Sequence, residues 1–344
     1  MPTPTAPRAR PWLRIAGGLG LLAVGGLGTA LVAAPGLRTI MAEPADTPAS
    51  LKPAAIDGDR AFGYLKAICA LGPHPAGSAA NARVRQLVAD HFTKHGGAVR
   101  EQPFAGRDPV SGAELAMANL VGSWFPDRAE RIVLCAHYDS RPFPDEDPDP
   151  AKRKIPFIGA NDPASGIAML MEIAHHLNDS PTAWGVDLVL FDTEELVYGS
   201  GPNQTGEYFL GSKHFAQTYA RARREKKGKD RIEAAILFDL IGGKDLVVPR
   251  DPYSMEFAPS LVNDVWRVAQ ALKVPQFRTE YGPQVTDDHL PLNNVGIPAI
   301  DLIDFHYPHW HKAADLPENC SAASLATVGR VVTAWMNKPK SRKR

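Results

Sequence analysis

The chain has 344 residues, 44% of them hydrophobic and 22% charged, an ordinary globular composition with ample length for a large buried core. Lys plus Arg equals Asp plus Glu at 38 each, so nothing argues for nucleic acid or another polyanion as a partner. The three cysteines, Cys69, Cys135 and Cys320, match no Cys-x-x-Cys metal or redox pattern and can form at most one disulfide.

In chain order, Arg8, Arg10 and Arg14 lie in a basic region, 1–14, ahead of an almost uncharged stretch over 15–34. That is roughly the 20 residues a bilayer-spanning helix needs. Val32-Ala33-Ala34 also reads as a small-residue cleavage site. Residues 15–37 are therefore expected to be an uncleaved anchor or a cleaved signal segment. The positive charge in front keeps the N-terminus cytoplasmic, so the rest of the chain is expected to be exported. Membrane contact is expected through this segment only, and 38–55 reads as a linker.

Residues 56–337 then alternate between helical and strand patterns. Helices are predicted over 57–71 and 79–95, the second stopped by Gly96-Gly97. Strands are predicted over 98–103, 116–124 and 131–136, the last a short apolar run suited to burial on both faces of a parallel sheet. The stretch 140–156, dense in Pro, Asp and Lys, reads as a surface loop, and its charged part, 141–154, as a disordered insertion or, alternatively, a lid on a pocket rim. Ile167, Leu170, Met171 and Ala174 recur at helical spacing over 163–177. Further buried strands are expected at 186–191, 234–238 and 298–303, with helices at 261–272 and 321–335. The pattern predicts a single α/β domain, with a central, mostly parallel mixed sheet sandwiched by helices, followed by a basic tail over 338–344.

Polar residues gather just past the predicted strand ends, where open α/β sheets bind ligands. His137 and Asp139 follow the strand at 131–136, Glu194 and Glu195 the strand at 186–191, and Asp239 the strand at 234–238. Asp162 precedes the helix at 163–177, Asp287, Asp288 and His289 occupy a polar segment, and His309 and His311 come after the last strand. Imidazoles and carboxylates without thiolates suit a catalytic zinc with an open position. Asp162 before Pro163 also reads as a helix N-cap, and His137 as a hydrogen-bonded core histidine. Asp239, set in Phe238-Asp239-Leu240-Ile241, is expensive unless it is paired or metal-bound.

Three segments resemble the metal motifs of M28 metallopeptidases: Cys135-Ala136-His137-Tyr138-Asp139-Ser140, Gly159-Ala160-Asn161-Asp162-Pro163-Ala164-Ser165-Gly166, and Phe191-Asp192-Thr193-Glu194-Glu195. Trp310-His311 does so too. The resemblance implies that Asp162, Glu195 and His311 hold a catalytic zinc and that Glu194 is the general acid/base. It further implies that His137 and Asp239 complete a second metal position where one is occupied, with Asp139 orienting His137 from behind. Phe238-Asp239-Leu240-Ile241-Gly242, Tyr208-Phe209-Leu210-Gly211-Ser212-Lys213-His214 and Asp287-Asp288-His289-Leu290-Pro291 are similar to the glutaminyl-peptide cyclotransferase branch. That branch implies one zinc, a monomer, and peptide or protein N-termini as substrates. It also implies an acid network of Asp239 and Asp287 behind Glu194, and Trp310 lining the pocket. Three positions depart from it: Ser200 near an expected tryptophan, Thr286 for glutamine, and Asp301 for histidine. The alternative is an aminopeptidase with two zinc ions, in which Glu194 activates the attacking water. An inactive exported binding domain would have lost a ligand or the acid/base, and none is lost.

Overall fold

The computed structural model describes residues 51–199, 204–225, 228 and 230–339. The predicted anchor or signal segment with its arginines and Val32-Ala33-Ala34, most of the linker, Ser200 and the end of the basic tail lie outside the described residues. Among the described residues no helix is long and apolar enough to cross a membrane.

Two helices, α1 (Gly58–Ala70) and α2 (Ala79–Lys94), open the fold. Asp57 caps the first by accepting the Arg60 N–H at 3.0 Å, and Ser78 caps the second by accepting that of Asn81 at 3.0 Å. Gly96, at φ +83°, takes the left-handed turn that follows α2. The hairpin β1 (Ala98–Arg107) and β2 (Glu114–Trp124) comes next, and the first strand runs past its predicted end because Arg107 still pairs with Glu114.

Four strands make up the parallel part of the sheet: β3 (Glu130–His137), β4 (Gly185–Phe191), β7 (Arg231–Asp239) and β10 (Ala299–Ile303). The sheet order is β1-β2-β4-β3-β7-β10, and only β1 and β2 run antiparallel to their neighbours. It is a mixed, mostly parallel sheet. Every residue of β4 is buried, which fits its apolar run from Leu188 to Phe191; Asp187, the one charge in the strand, is paired with buried Arg131 at 2.7 Å. Side-chain alternation divides β3 between two cores. Ile132, Leu134 and Ala136 pack on one face with α1, α2, α3 (Ala164–Ala174), α6 (Pro259–Ala271) and α8 (Ala322–Met336). Val133 and Cys135 pack on the other with Phe215 of α4 (Leu210–Arg224) and Leu292 of α7 (His289–Asn293). All three cysteines are free and buried.

Two expectations need correction. Helix α3 begins at Ala164 with Pro163 as its cap residue and no side-chain cap bond, so Asp162 is not an N-cap. Nor is 140–156 a loose insertion. Arg141 and Asp147 are buried, Arg141 grips Asp145 through two bonds of 2.6 and 2.7 Å, and Asp147 accepts the Ala313 N–H at 3.0 Å. Charge pairing seats a segment whose composition alone is that of a solvated loop. Smaller elements without predicted counterparts are β5 (Glu195–Tyr198), β6 (Thr205–Tyr208), α4, β8 (Val248–Arg250), α5 (Pro252–Phe257), β9 (Phe277–Tyr281) and α7.

Candidate metal centre and active site

The parallel strands deliver their carboxyl ends to one crevice. His137 is the last residue of β3 and Asp239 the last of β7, while the turn after β4 presents Glu194 and Glu195. Asp162 arrives from the segment before α3 and His311 from the loop after β10. His311 Nε2 lies 2.7 Å from Glu195 Oε1 and 3.4 Å from Asp162 Oδ2. On the other side of Asp162, His137 Nε2 lies 3.2 Å from Asp162 Oδ1 and 3.6 Å from Asp239 Oδ1. Asp162, Glu195 and His311 each offer a ligand atom within 4.8 Å of the others, and so do His137, Asp162 and Asp239. Asp162 thus stands between two triads. His309, by contrast, packs on Tyr307 and stays outside both.

Backbone strain aims these groups. Thr193, Phe209, Leu240 and His311 all adopt φ between 50° and 65°, a region that costs a non-glycine residue roughly 1–3 kcal/mol. Thr193 turns the chain into Glu194, Leu240 turns it away behind Asp239, and His311 is itself strained.

Asp139 acts differently from the expectation. Its buried carboxylate accepts the N–H of Glu194 at 2.8 Å and that of Glu195 at 3.0 Å. Its closest approach to His137 Nδ1 is instead through its backbone carbonyl, at 3.1 Å; the carboxylate stands 3.9 Å away. Asp139 therefore fixes the paired glutamates, and His137 is oriented by main chain. Asp139→Asn would turn a donor toward one of those amides. A cost of about 1–3 kcal/mol is expected, read as a lower urea midpoint with unchanged slope.

Two further positioning residues escaped sequence reasoning. Asp315 is buried and accepts the N–H of Asn161 at 2.8 Å, the N–H of Asp162 at 3.1 Å and the Tyr307 hydroxyl at 2.9 Å. It holds the Asp162 segment as Asp139 holds the glutamates. Its only sequence signal is a carboxylate four residues after His311. Arg141 places Nη1 3.3 Å from Glu195 Oε1, a cation set against a candidate ligand from inside a segment that composition assigns to solvent.

The centre is electrostatically unfinished without a cation. Glu195 Oε2 and Asp239 Oδ1 are buried with no hydrogen-bond partner, an arrangement that costs free energy unless something positive fills it. Burial disfavours a charged His311, yet the Glu195 charge and the Asp162 hydrogen bond override it and raise its pKa to about 9. Burial likewise opposes a charged His137, and the nearby carboxylates of Asp162, Asp239 and Glu194 lift it well above the usual range. Without a metal, the surrounding carboxylates thus favour protons on the two imidazoles where a metal ion would bind. The oxygen and nitrogen donors, the missing thiolate and the orphaned carboxylate oxygens all fit a divalent zinc ion. Zinc loading is accordingly expected to expel protons at neutral pH and to strengthen as pH rises toward 9. Calorimetric titration in buffers of differing ionisation enthalpy measures the number released, and zero protons at pH 7 would contradict it.

Burial, followed by repulsion from Glu195, raises the Glu194 pKa well above the carboxylate range. Burial and then Asp239 raise Asp287 to about 7, and burial raises Asp239 itself to about 6. Behind them Asp301, on β10, is fully buried and held protonated, by burial first and then by Asp287. A cavity of about 330 Å³ opens over these groups, walled by Tyr208, Phe209, Val285, Ile303, Phe305 and Trp310. Trp310 stacks on His311, with ring centroids 3.9 Å apart at 24°.

The sequence profile of peptidase family M28 matches residues 119–336. The chain belongs to peptidase family M28. That span contains every ligand candidate of this M28 centre. The crystal structure of Fimbriiglobus ruber glutaminyl cyclase is 38% identical and covers 87% of this chain and all of its own, at a TM-score of 0.82. A leucine aminopeptidase precursor from Bacteroides thetaiotaomicron is 30% identical over 84% of this chain and all of its own, with a TM-score of 0.76. The glutaminyl-peptide cyclotransferase-like protein of Mus musculus is 27% identical over 284 residues, 76% of this chain and 71% of that one. The chain is a glutaminyl cyclase-like M28 enzyme.

Proposed function

We propose that this M28 enzyme is a zinc-dependent glutaminyl-peptide cyclotransferase, converting the N-terminal glutamine of a peptide or protein to pyroglutamate with release of ammonia. The observation that carries the reading is the crowding of Glu194, Asp239 and Asp287 on one side of the cavity. There Asp287 raises the Glu194 pKa and Asp239 raises that of Asp287. A cluster of buried acids whose burial and mutual repulsion favour proton uptake suits a reaction that moves one proton from an amine to a leaving nitrogen and consumes no water.

Asp162, Glu195 and His311 would hold the zinc. When bound, zinc supplies Lewis-acid polarisation of the side-chain amide carbonyl. The substrate's α-amine attacks its own γ-carboxamide carbon. Glu194 takes the proton released as the new C–N bond forms and returns it to the departing amide nitrogen, which leaves as ammonia. Asp239 and Asp287 would steady Glu194 and the leaving nitrogen by hydrogen bonding. Trp310 forms a flat wall for the substrate. The apolar segment at 15–37 would place this chemistry outside the cytoplasm.

The second triad, His137–Asp162–Asp239, favours the other reading, an aminopeptidase with two zinc ions. One experiment separates them. The chain is offered a glutaminyl peptide and an aminoacyl chromogenic amide. Ammonia release without peptide cleavage is the expected result, and cleavage without cyclisation would overturn the proposal.

A further inference from the structure

Helices α2 and α3 end beside one another, and both ends carry histidine. His91 lies in the last turn of α2, His95 is its C-cap residue, and His175 is the C-cap residue of α3. Ring centroids are 4.5 Å apart for His91 and His95, 3.9 Å for His95 and His175, and 5.1 Å for His91 and His175. One ring nitrogen from each lies within 4.8 Å of one on both others. We propose that His91, His95 and His175 form a second, separate metal site, a three-imidazole site for Zn²⁺ or a neighbouring divalent transition ion, which pins the ends of α2 and α3 together.

Four observations support it independently of the reaction proposed above. His91 and His95 are four residues apart, the spacing at which two helical histidines share a face and converge on one ion. The ring nitrogens are also apportioned as ligand histidines require. His91 Nε2 lies 2.8 Å from the Met171 carbonyl and His175 Nε2 lies 2.5 Å from the Tyr64 hydroxyl. Each can give one N–H to that partner and keep the other nitrogen's lone pair free. His95 Nε2 is buried with no hydrogen-bond partner at all; ring packing alone leaves that nitrogen unsatisfied, whereas an ion would not.

The electrostatic setting agrees. Burial lowers the pKa of all three imidazoles, His175 to about 4, which favours the neutral form that can ligate a metal. Both helices direct the negative ends of their dipoles here. Buried Glu172 adds a negative charge, bound by His176 at 3.0 Å and offset by the Arg60 guanidinium, which binds it twice at 2.7 Å, so the attraction for a cation here comes from the helix ends and the ring lone pairs. Lys94 is exposed to water. Imidazoles without carboxylate or carbonyl ligands select zinc, nickel, cobalt or copper over magnesium or calcium. All three residues are half-buried and not sealed from solvent, so an ion can enter. The 11 residues of α3 span about 16 Å at 1.5 Å per residue. Asp162 precedes one end of this helix and the new site lies at the other.

The test counts zinc on the full chain, stripped with chelator, re-equilibrated with Zn²⁺ and passed through a desalting column. His95→Gln and the double variant His95→Ala/His175→Ala are each expected to hold one zinc fewer than the parent, with unchanged turnover. His311→Ala should lose a different equivalent, so combining it with His95→Gln removes both. Zn²⁺ should raise the Tm of His311→Ala but not that of the combined variant. Equal zinc counts in the parent and in folded His95→Gln would overturn the proposal, as would an equal Tm response in the last pair. His95→Gln keeps a polar side chain of similar reach on a half-buried position at the helix end, so it answers the question even if the double variant fails to fold.

Discussion

Glu194→Gln is expected to lower turnover by about 10²–10⁴-fold, the contribution of a positioned acid/base, while the fold and the zinc content stay unchanged. The substitution keeps the shape of the side chain, so the Asp139 carboxylate still accepts the amides of residues 194 and 195. It deletes the group able to take the amine's proton. Glu194 is poised for that role because burial and the adjacent Glu195 hold its pKa up, which makes its carboxylate a stronger base toward the attacking amine than an exposed one. Steady-state rates on a glutaminyl peptide, paired with zinc analysis of the same preparation, measure both halves. Near-parent turnover would reject the acid/base role, and a loss of zinc would show that Glu194 serves the metal instead.

His311→Ala is expected to abolish stable zinc binding at the catalytic centre and activity with it. Removing the imidazole takes away one of three ligands. It also leaves the Asp162 and Glu195 carboxylates with less positive charge between them, since His311 Nε2 approaches both, at 3.4 and 2.7 Å. The affinity loss should well exceed the roughly 10–100-fold typical of losing an outer partner. Competition against a zinc chelator gives the number, and an affinity within tenfold of the parent would remove His311 from the ligand set. The stacked Trp310 loses its ring partner in this variant, so Trp310→Phe provides the control for packing: zinc retained, substrate KM raised.

The strands at the heart of the molecule were readable because β3, β4, β7 and β10 are buried on both faces and write that fact as short apolar runs. The ligand candidates were readable for a related reason. Charged residues that interrupt such runs at a strand's carboxyl end need a reason to be there, and Asp239 after Phe238 shows it most plainly. What stayed hidden depends on partners far along the chain. Asp139 could be placed near the centre, but its true partners, the amides of Glu194 and Glu195, are visible only once β3 and β4 lie side by side. Asp315 and Arg141 look like surface charges until they are paired. Helix α4 buries only Gly211, Ser212, Phe215 and Ala216, too thin an apolar stripe to stand out. Asp162 mimicked a helix cap because Pro163 follows it, yet its amide is bound by Asp315 and its carboxylate by two histidines. The cluster at His91, His95 and His175 joins residues some eighty positions apart, and no local pattern announces it.

The left-handed backbone at Thr193, Leu240 and His311 has a thermal consequence. Conformations held at a cost relax first when their surroundings loosen, and these three belong to loops above the well-buried parallel strands β3, β4 and β10. On warming, catalysis should therefore fail several degrees before the far-ultraviolet signal of the sheet collapses, and cooling from that interval should restore full activity. The enzyme would thus lose its chemistry reversibly while its scaffold still stands.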